Sequence, residues 1–299
     1  MSQVLWVSGA QGFVGSSLIE SLRREKYIVY EIRILNMGLQ VTDSLSRKVY
    51  NVSWTANRIP QIISPTHILH FGAKGVGEPK SSQFHEYNYE QSLKIAEFVM
   101  NLNLNCFYFF AGSIDEYSGL EFPDEKTDLS DLVLSPYAYW KMRTGKELLG
   151  IFLSHPRISF SHLRICNLFG RNQRSGTLLP LLLNRNLQTY TISHSEFFRD
   201  LMWVDDFSRN LVCLLKLKEI PSIINLGRGE STYWRDFVNQ AWSVAEKSPE
   251  DLHFKESPED IGSLLKPHMN IQLIKAVLGD RYSITSVEEA LRSIVSARK

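Results

Sequence analysis

Cysteine is scarce in this chain: Cys106, Cys166 and Cys213 are the only three in 299 residues. Few, scattered and odd in number, they exclude a disulfide framework and a cysteine-held metal cluster, and they fit a reducing, cytoplasmic setting. An excess of charge of one sign is equally lacking. The 33 Lys and Arg balance 32 Asp and Glu for a net charge of +1. Electrostatics therefore makes no case for a nucleic-acid or anionic-membrane partner, and no basic patch offers nucleic acid a footing. Long hydrophobic runs are also missing. The apolar stretch Val4-Leu5-Trp6-Val7-Ser8 is too short for a signal peptide or a membrane span. There is no repeat, low-complexity stretch or long linker. What is present, 43% hydrophobic and 22% charged residues, is the composition of a soluble globular protein. The length suits one large domain with a smaller partner.

The apolar stretch runs into Gly9-Ala-Gln-Gly12-Phe-Val-Gly15 and then Ser16-Ser-Leu-Ile-Glu-Ser-Leu22. That reads as strand, glycine turn, helix. The first glycine permits the turn, the second lets a pyrophosphate approach the backbone, and the third allows helix to pack closely on strand. The helix N-terminus adds unpaired N–H groups and positive dipole. Further strands are expected at Tyr27–Ile32, Val49–Val52, His67–Phe71, Cys106–Phe110 and Phe160–Ile165, with a helical period over Glu90–Leu104. Continuous apolar runs separated by helices indicate a parallel sheet covered on both faces. Ligand is expected beyond the carboxyl ends of its strands.

Ser113 falls there, directly after a strand. Ser135-Pro136 then offers an N-cap and a proline at the first helical position. In the helix that follows, Tyr137 and Lys141 are four residues apart and share a face, while Tyr139 points elsewhere. This set suits carbonyl reduction. A hydride delivered to a carbonyl carbon leaves an alkoxide that needs a proton, a phenol ordinarily titrates near pH ~10, and a neighbouring ammonium brings it down.

With its G-x-x-G-x-x-G turn and Tyr-x-x-x-Lys pair, the chain from Val4 to about Ile294 resembles the extended short-chain dehydrogenase/reductase family. That group comprises nucleotide-sugar epimerases, dehydratases and reductases. The resemblance implies an α/β fold, a Rossmann-type doubly wound parallel sheet with a smaller α/β C-terminal substrate-binding domain. The dinucleotide-binding domain is expected at 1–165 with a return segment at about 201–226, and the substrate domain at 166–200 and 227–299. Gly9, Gln11, Gly12, Phe13, Val14, Gly15, Gly72 and Ala73 are implied to line the cofactor, with Tyr137 and Lys141 beside it. Lys141 holds ribose hydroxyls, Ser113 fixes the substrate oxygen, and Asn88 supports Lys141 through water.

Family members that use NAD carry an Asp at the end of the second strand. Here Arg33 stands nearest that position, and a guanidinium suits a 2′-phosphate. NADP is therefore the expected cofactor, with NAD the alternative that Glu31 or a shifted register would restore. Asp43 resembles the adenine-contacting acid of some family reductases.

In the second half, Arg164-Ile-Cys-Asn167-Leu-Phe-Gly170-Arg171 is similar to the family's R-x-x-N-x-Y/F-G-P segment, with Arg171 replacing proline. Phe198-Arg199-Asp200-Leu-Met-Trp-Val-Asp205-Asp206 is similar to R-D-F-x-x-V-D-D, and Asn225-Leu-Gly227 to the N-x-G strand end. These imply a nucleotide-sugar site at Asn167, Leu179 and Arg199, joined by Asp115. The Thr-Asp-Glu of the family's 4,6-dehydratases aligns with Ser113-Ile114-Asp115, so one acid is missing, although Asp115 and Glu116 could form a shifted pair. The reading that results is an NADPH-dependent reductase of a nucleotide-activated keto sugar, a 4-keto-6-deoxyhexose, in deoxysugar and surface-polysaccharide synthesis. It is expected as a homodimer with no membrane or nucleic-acid partner. An NAD-dependent C4 epimerase and a non-catalytic NADP-binding regulator are the alternatives.

Overall fold

Val4–Ser8 forms strand β1, buried at every position, and Phe13–Arg24 forms helix α1. Gly9 turns the chain between them at φ +72°, where a Cβ would lie 2.8 Å from the backbone of Gly72. A Cβ on Gly15 would meet the Gly9 carbonyl oxygen at 2.1 Å. Only glycines let the turn, α1 and the end of the neighbouring strand come this close. Leu18, Ile19 and Leu22 form the buried face of α1, and Arg23 and Arg24 in its last turn complement the helix dipole.

The computed structural model describes residues 3–76, 82–255 and 265–297. The chain divides into two units, Met1–Ser118 with Asp128–Arg164 and Leu211–Ile224, and Gly119–Thr127 with Ile165–Asn210 and Asn225–Lys299. After α1 come β2 (Ile28–Leu35), β3 (Gly38–Asp43), β4 (Val49–Ser53), β5 (His67–His70), α2 (Ser82–Asn101), β6 (Cys106–Ala111), α3 (Pro136–Leu153) and β7 (Ile158–Ile165). With β11 (Ile223–Leu226) they make an eight-stranded sheet in the order β11-β7-β6-β5-β1-β2-β3-β4. The pairs β2-β1, β1-β5, β5-β6 and β6-β7 are parallel. Strand order reverses at β1, which is where open sheets of this kind leave a crevice.

The expected all-parallel sheet needs one correction. β2 runs three residues beyond Ile32, turns, and pairs antiparallel with β3, which pairs antiparallel with β4. Alternation had marked only part of this edge, because Asn36–Trp54 lacks the apolar run of a buried strand.

Trp6, Ile95, Val99, Tyr108, Phe110, Phe152 and Phe160 belong to the core of the first unit. The Trp6 indole N–H is satisfied by the Ile63 carbonyl at 2.7 Å. One residue sets the spacing of the elements that matter most. The His162 ring, on β7, lies between Gly112 after β6 and Gly145 on α3. A Cβ on either glycine would stand 2.2 Å from it.

The second unit holds β8 (Asn167–Phe169), α4 (Leu178–Leu182), β9 (Tyr190–Ile192), β10 (Phe198–Trp203), the start of α5 (Val204–Leu215), β12 (Ser231–Tyr233), α6 (Trp234–Val244), β13 (Leu252–Phe254), α7 (Gln272–Leu278) and α8 (Val287–Ser296). β10 is central to a three-stranded sheet, parallel to β8 and antiparallel to β12, and β9 pairs with β13. The division differs from the expected one in two places. Residues 201–210 group with the second unit, because β10 pairs with β8 and β12. Residues 119–127 join it as well, through Phe122 N–H to the His268 carbonyl and Asn270 N–H to the Pro123 carbonyl, both at 2.9 Å. Among the described residues no helix is long and apolar enough to cross a membrane, and no group of three or more His, Cys, Asp or Glu could hold a metal ion.

The His162 spacer generates a test. Gly145→Ala drives a methyl group into the ring and is expected to cost about 1–3 kcal/mol, the usual range for overpacking. His162→Ala in the same chain should recover part of that loss. A thermal-denaturation cycle checks this, and strictly additive costs would contradict the packing described.

Candidate functional site

Ser113 caps the 3-10 turn Ile114–Tyr117 that follows β6. Its Oγ accepts the Asp115 N–H at 3.2 Å, while the Glu116 carboxylate accepts the Ser113 N–H at 2.9 Å. Glu116 is fully buried. Its Oε1 also lies 3.0 Å from His162 Nε2, and its Oε2 accepts from Arg164 Nε at 3.1 Å. Arg164 in turn donates to the Tyr117 hydroxyl at 2.8 Å. Burial pushes the Glu116 carboxyl upward, but His162, Arg164 and the Ser113 amide outweigh it, and it titrates below its ordinary value. Ser113 is therefore held from behind by an ionised network.

On α3, Ser135 is the N-cap, accepting the Ala138 N–H at 3.2 Å, and Pro136 begins the helix. Tyr137 and Lys141 share the face turned to Ser113, whose hydroxyl hydrogen-bonds the phenol. Lys141 is buried and donates to the Ala111 carbonyl at 2.6 Å. Its Nζ also lies 4.4 Å from the Trp140 ring centroid and 5.9 Å from that of Tyr137. Burial lowers Lys141 to about 8, with the Glu116 charge partly opposing. The expected lowering of Tyr137 is reversed. Burial first, then the charges of Asp115 and Glu116, raise the phenol above its ordinary value. Desolvation disfavours the phenolate more than an ammonium turned to a carbonyl can favour it.

Asn88 is closed on a different partner from the one expected. Its Oδ1 accepts the Lys74 N–H and its Nδ2 donates to the Lys74 carbonyl, both at 2.9 Å. The amide thus fixes the loop after β5, and both of its groups are committed there. Ile114 is buried, Asp115 is exposed, and Glu116 faces Arg164. A shifted acid pair at Asp115 and Glu116 is thereby excluded, since the second acid points into the core.

Beyond the ends of β1, β2 and β5 lies a cavity of about 640 Å³, of the size small-molecule sites have. Of the residues expected around the cofactor, Gly9, Gln11, Arg33, Gly72 and Ala73 line it, and Asn88 does as well. Gly12, as N-cap of α1, and Phe13, Val14 and Gly15 in its first turn lie outside the lining. Glu31, weighed as the acid that would restore NAD, lines it too, and Gln40, Thr42 and Arg47 are lining residues that the sequence did not announce. They come from the antiparallel edge, whose pairing had no apolar signal. The residues present fit a dinucleotide: the Gly9–Gly72 approach leaves no room for a Cβ, and no side chain caps α1. Asp43, in contrast, accepts the Leu45 and Ser46 N–H groups at 2.8 Å each and so belongs to its own turn.

The second unit has a cavity of about 320 Å³ that brings Asn167, Leu179 and Arg199 together. The Asn167 amide nitrogen is buried without a partner among the described residues, an orphan donor of the kind a ligand satisfies. Phe197, Trp234 and Phe237 stack in sequence along the lining, with centroids 5.3 and 5.2 Å apart. An aromatic pair three residues apart at the start of α6 was the available signal. Arg199 lies 4.5 Å over the Phe197 ring and donates to the Phe198 carbonyl at 3.0 Å. The acids of the same segment are structural. Asp200 accepts the Arg228, Gly229 and Met269 N–H groups, and Asp206 accepts from Ser283 and Thr285. Arg171, where proline was expected, pairs with Asp205 at 2.9 Å.

Comparison with known proteins bears on the family and the fold. CDP-abequose synthase of Salmonella typhimurium is 23% identical over 258 residues, covering 80% of this chain and 79% of that protein. An uncharacterized UDP-glucose epimerase of Bacillus subtilis, YtcB, is 23% identical over 270 residues, 84% of each. The structure of MoeE5 in complex with UDP-glucose and NAD superposes with a TM-score of 0.76 at 20% identity, over 99% of this chain and 98% of that one. The sheet is thus a mostly parallel, Rossmann-type sheet of this structural group. The model of the NAD dependent epimerase/dehydratase family matches residues 5–227, and the chain belongs to that family.

Proposed function

We propose that this protein is an NADPH-dependent reductase of a nucleotide-activated keto sugar, a 4-keto-6-deoxyhexose, serving deoxysugar and surface-polysaccharide synthesis in the cytoplasm. The observation that carries the reading is the Ser113–Tyr137–Lys141 set in a site where Ile114 replaces one dehydratase acid and Glu116, the second member of a shifted pair, faces the core. Kinship with a CDP-abequose synthase supports it. Gly9, Gln11, Gly72 and Ala73 would hold the dinucleotide, Arg33 its 2′-phosphate and Lys141 ribose hydroxyls. When bound, NADPH supplies the hydride. Tyr137 gives its phenolic proton to the developing alkoxide. Its raised pKa keeps it protonated at neutral pH, as a proton donor requires. Ser113 fixes the carbonyl oxygen, and the Lys141 charge stabilises the phenolate left behind. In the second unit, Arg199 and the orphan Asn167 amide suit a diphosphate, and the aromatic stack suits a base. A homodimer through α2 and α3 completes the reading; Tyr139 and Leu153 are 53% and 75% exposed on α3.

One observation favours a second reading, an NAD-dependent C4 epimerase. Glu31 lines the larger cavity with a side chain only 14% exposed, and a carboxylate there suits bare ribose hydroxyls. Purified protein that retains NAD and epimerises a nucleotide sugar would establish it.

Three measurements test the reductase. Tyr137→Phe should lower turnover of nucleotide 4-keto-6-deoxysugars by about two to four orders of magnitude, the usual size of a general-acid contribution, with cofactor binding intact. Wild-type rates in that variant would remove Tyr137 from the mechanism. The pH profile reports on Lys141. Below about 8 it is charged, and above that it loses the charge that stabilises the phenolate. The rate of reduction should therefore fall as pH rises through about 8, and a flat profile there contradicts the role. Arg199→Ala should raise KM for the nucleotide sugar and lower kcat where remote binding positions the reacting carbon. A free keto sugar turned over as well as its nucleotide conjugate would refute the substrate class.

A further inference from the structure

The antiparallel edge of the large sheet builds something that a parallel strand end alone would not. In the β2–β3 register Arg33 faces Gln40 and Glu31 faces Thr42. Directly paired residues of antiparallel strands project to the same side. All four side chains therefore share one face, and all four line the 640 Å³ cavity. Arg47, in the turn between β3 and β4, lines it too. That turn is firmly made. Arg47 sits at φ +62° and donates its N–H to the Asp43 carbonyl at 3.0 Å, while the Asp43 carboxylate takes two further N–H groups. The Arg47 guanidinium then pairs with Glu31, whose other oxygen is 3.5 Å from the Gln11 amide of the glycine turn.

We infer that Arg47 is the second arginine of a two-arginine site for a phosphate monoester, the 2′-phosphate of the cofactor's adenosine ribose. Arg33 supplies the first guanidinium from the strand end, and Glu31 positions the second. The inference rests on the reading that this cavity takes the dinucleotide. Its charge supports it. Among the lining residues Arg33, Arg47 and Lys74 stand with a single acid, Glu31, and burial holds the His70 ring neutral. A bare ribose diol brings no charge to such a lining, whereas a phosphate monoester brings between one and two negative charges at neutral pH. A guanidinium also offers five donors, and the Glu31 contact engages one of its nitrogens. Glu31 thereby acts as the partner that orients Arg47, and no longer as the acid that would select NAD.

The test is a set of binding titrations with wild type, Arg33→Ala and Arg47→Ala, using NADPH, NADH, 2′-AMP and 5′-AMP. Arg47 is 56% exposed, so its replacement leaves the core intact. Arg47→Ala is expected to weaken NADPH and 2′-AMP by about ten- to a hundredfold, as for a charge-assisted contact, with NADH and 5′-AMP changed less than about twofold. Arg33→Ala should do the same. Equal losses for NADPH and NADH, or unchanged NADPH binding in Arg47→Ala, overturn the two-arginine site while leaving the dinucleotide cavity in place. Wild-type protein that binds neither NADPH nor NADH overturns both.

Discussion

A buried carboxylate, Glu116, holds the corner around Ser113 together. Removing such a group from water costs several kcal/mol, and here Arg164, His162 and the Ser113 amide all answer it. The three partners come from the end of β6 and from β7. The carboxylate therefore ties the turn that Ser113 caps to β7. His162 serves twice, as a partner to Glu116 and as the spacer that fixes α3 against β6. An ion network of this kind is worth little against an apolar replacement of the same shape, but losing one member leaves the rest uncompensated. Its value is in specifying one arrangement.

Much of the fold and part of the site could be read from the chain because they depend on local spacing. Three glycines three residues apart, a Ser-Pro helix entry and a Tyr-Lys pair four apart each translate directly into backbone geometry. Asn167, Leu179 and Arg199, which only the resemblance singled out, converge on one cavity. What escaped depends on partners remote in sequence. The direction of Glu116 is settled by residues 46 and 48 positions later. Asn88 shows the same limit, since its partner is a main-chain segment. The antiparallel edge was missed because its strands are half polar, which alternation in a short window does not separate from loop.

Lys141 shows what the site demands of the fold. A buried ammonium brought to about 8 is a charge the protein holds at the margin of ionisation, because burial disfavours the charged form. Within Phe198–Asp206 the roles separate by face. Arg199 turns to a cavity, whereas Asp200 and Asp206 gather main-chain N–H groups from distant loops. A single stretch thus both builds the unit and equips it.

The antiparallel edge has a consequence for how such proteins diversify. Glu31, Arg33, Gln40, Thr42 and Arg47 belong to one uninterrupted piece of chain, folded mainly on itself at the rim of the sheet. Inward of it, β1 pairs with this piece along β2, with Val7 opposite Glu31. An exchange of that piece by recombination would replace this rim of the cavity as a unit, while the residues beyond β6 were inherited unchanged. The rim is, in evolutionary terms, a cassette.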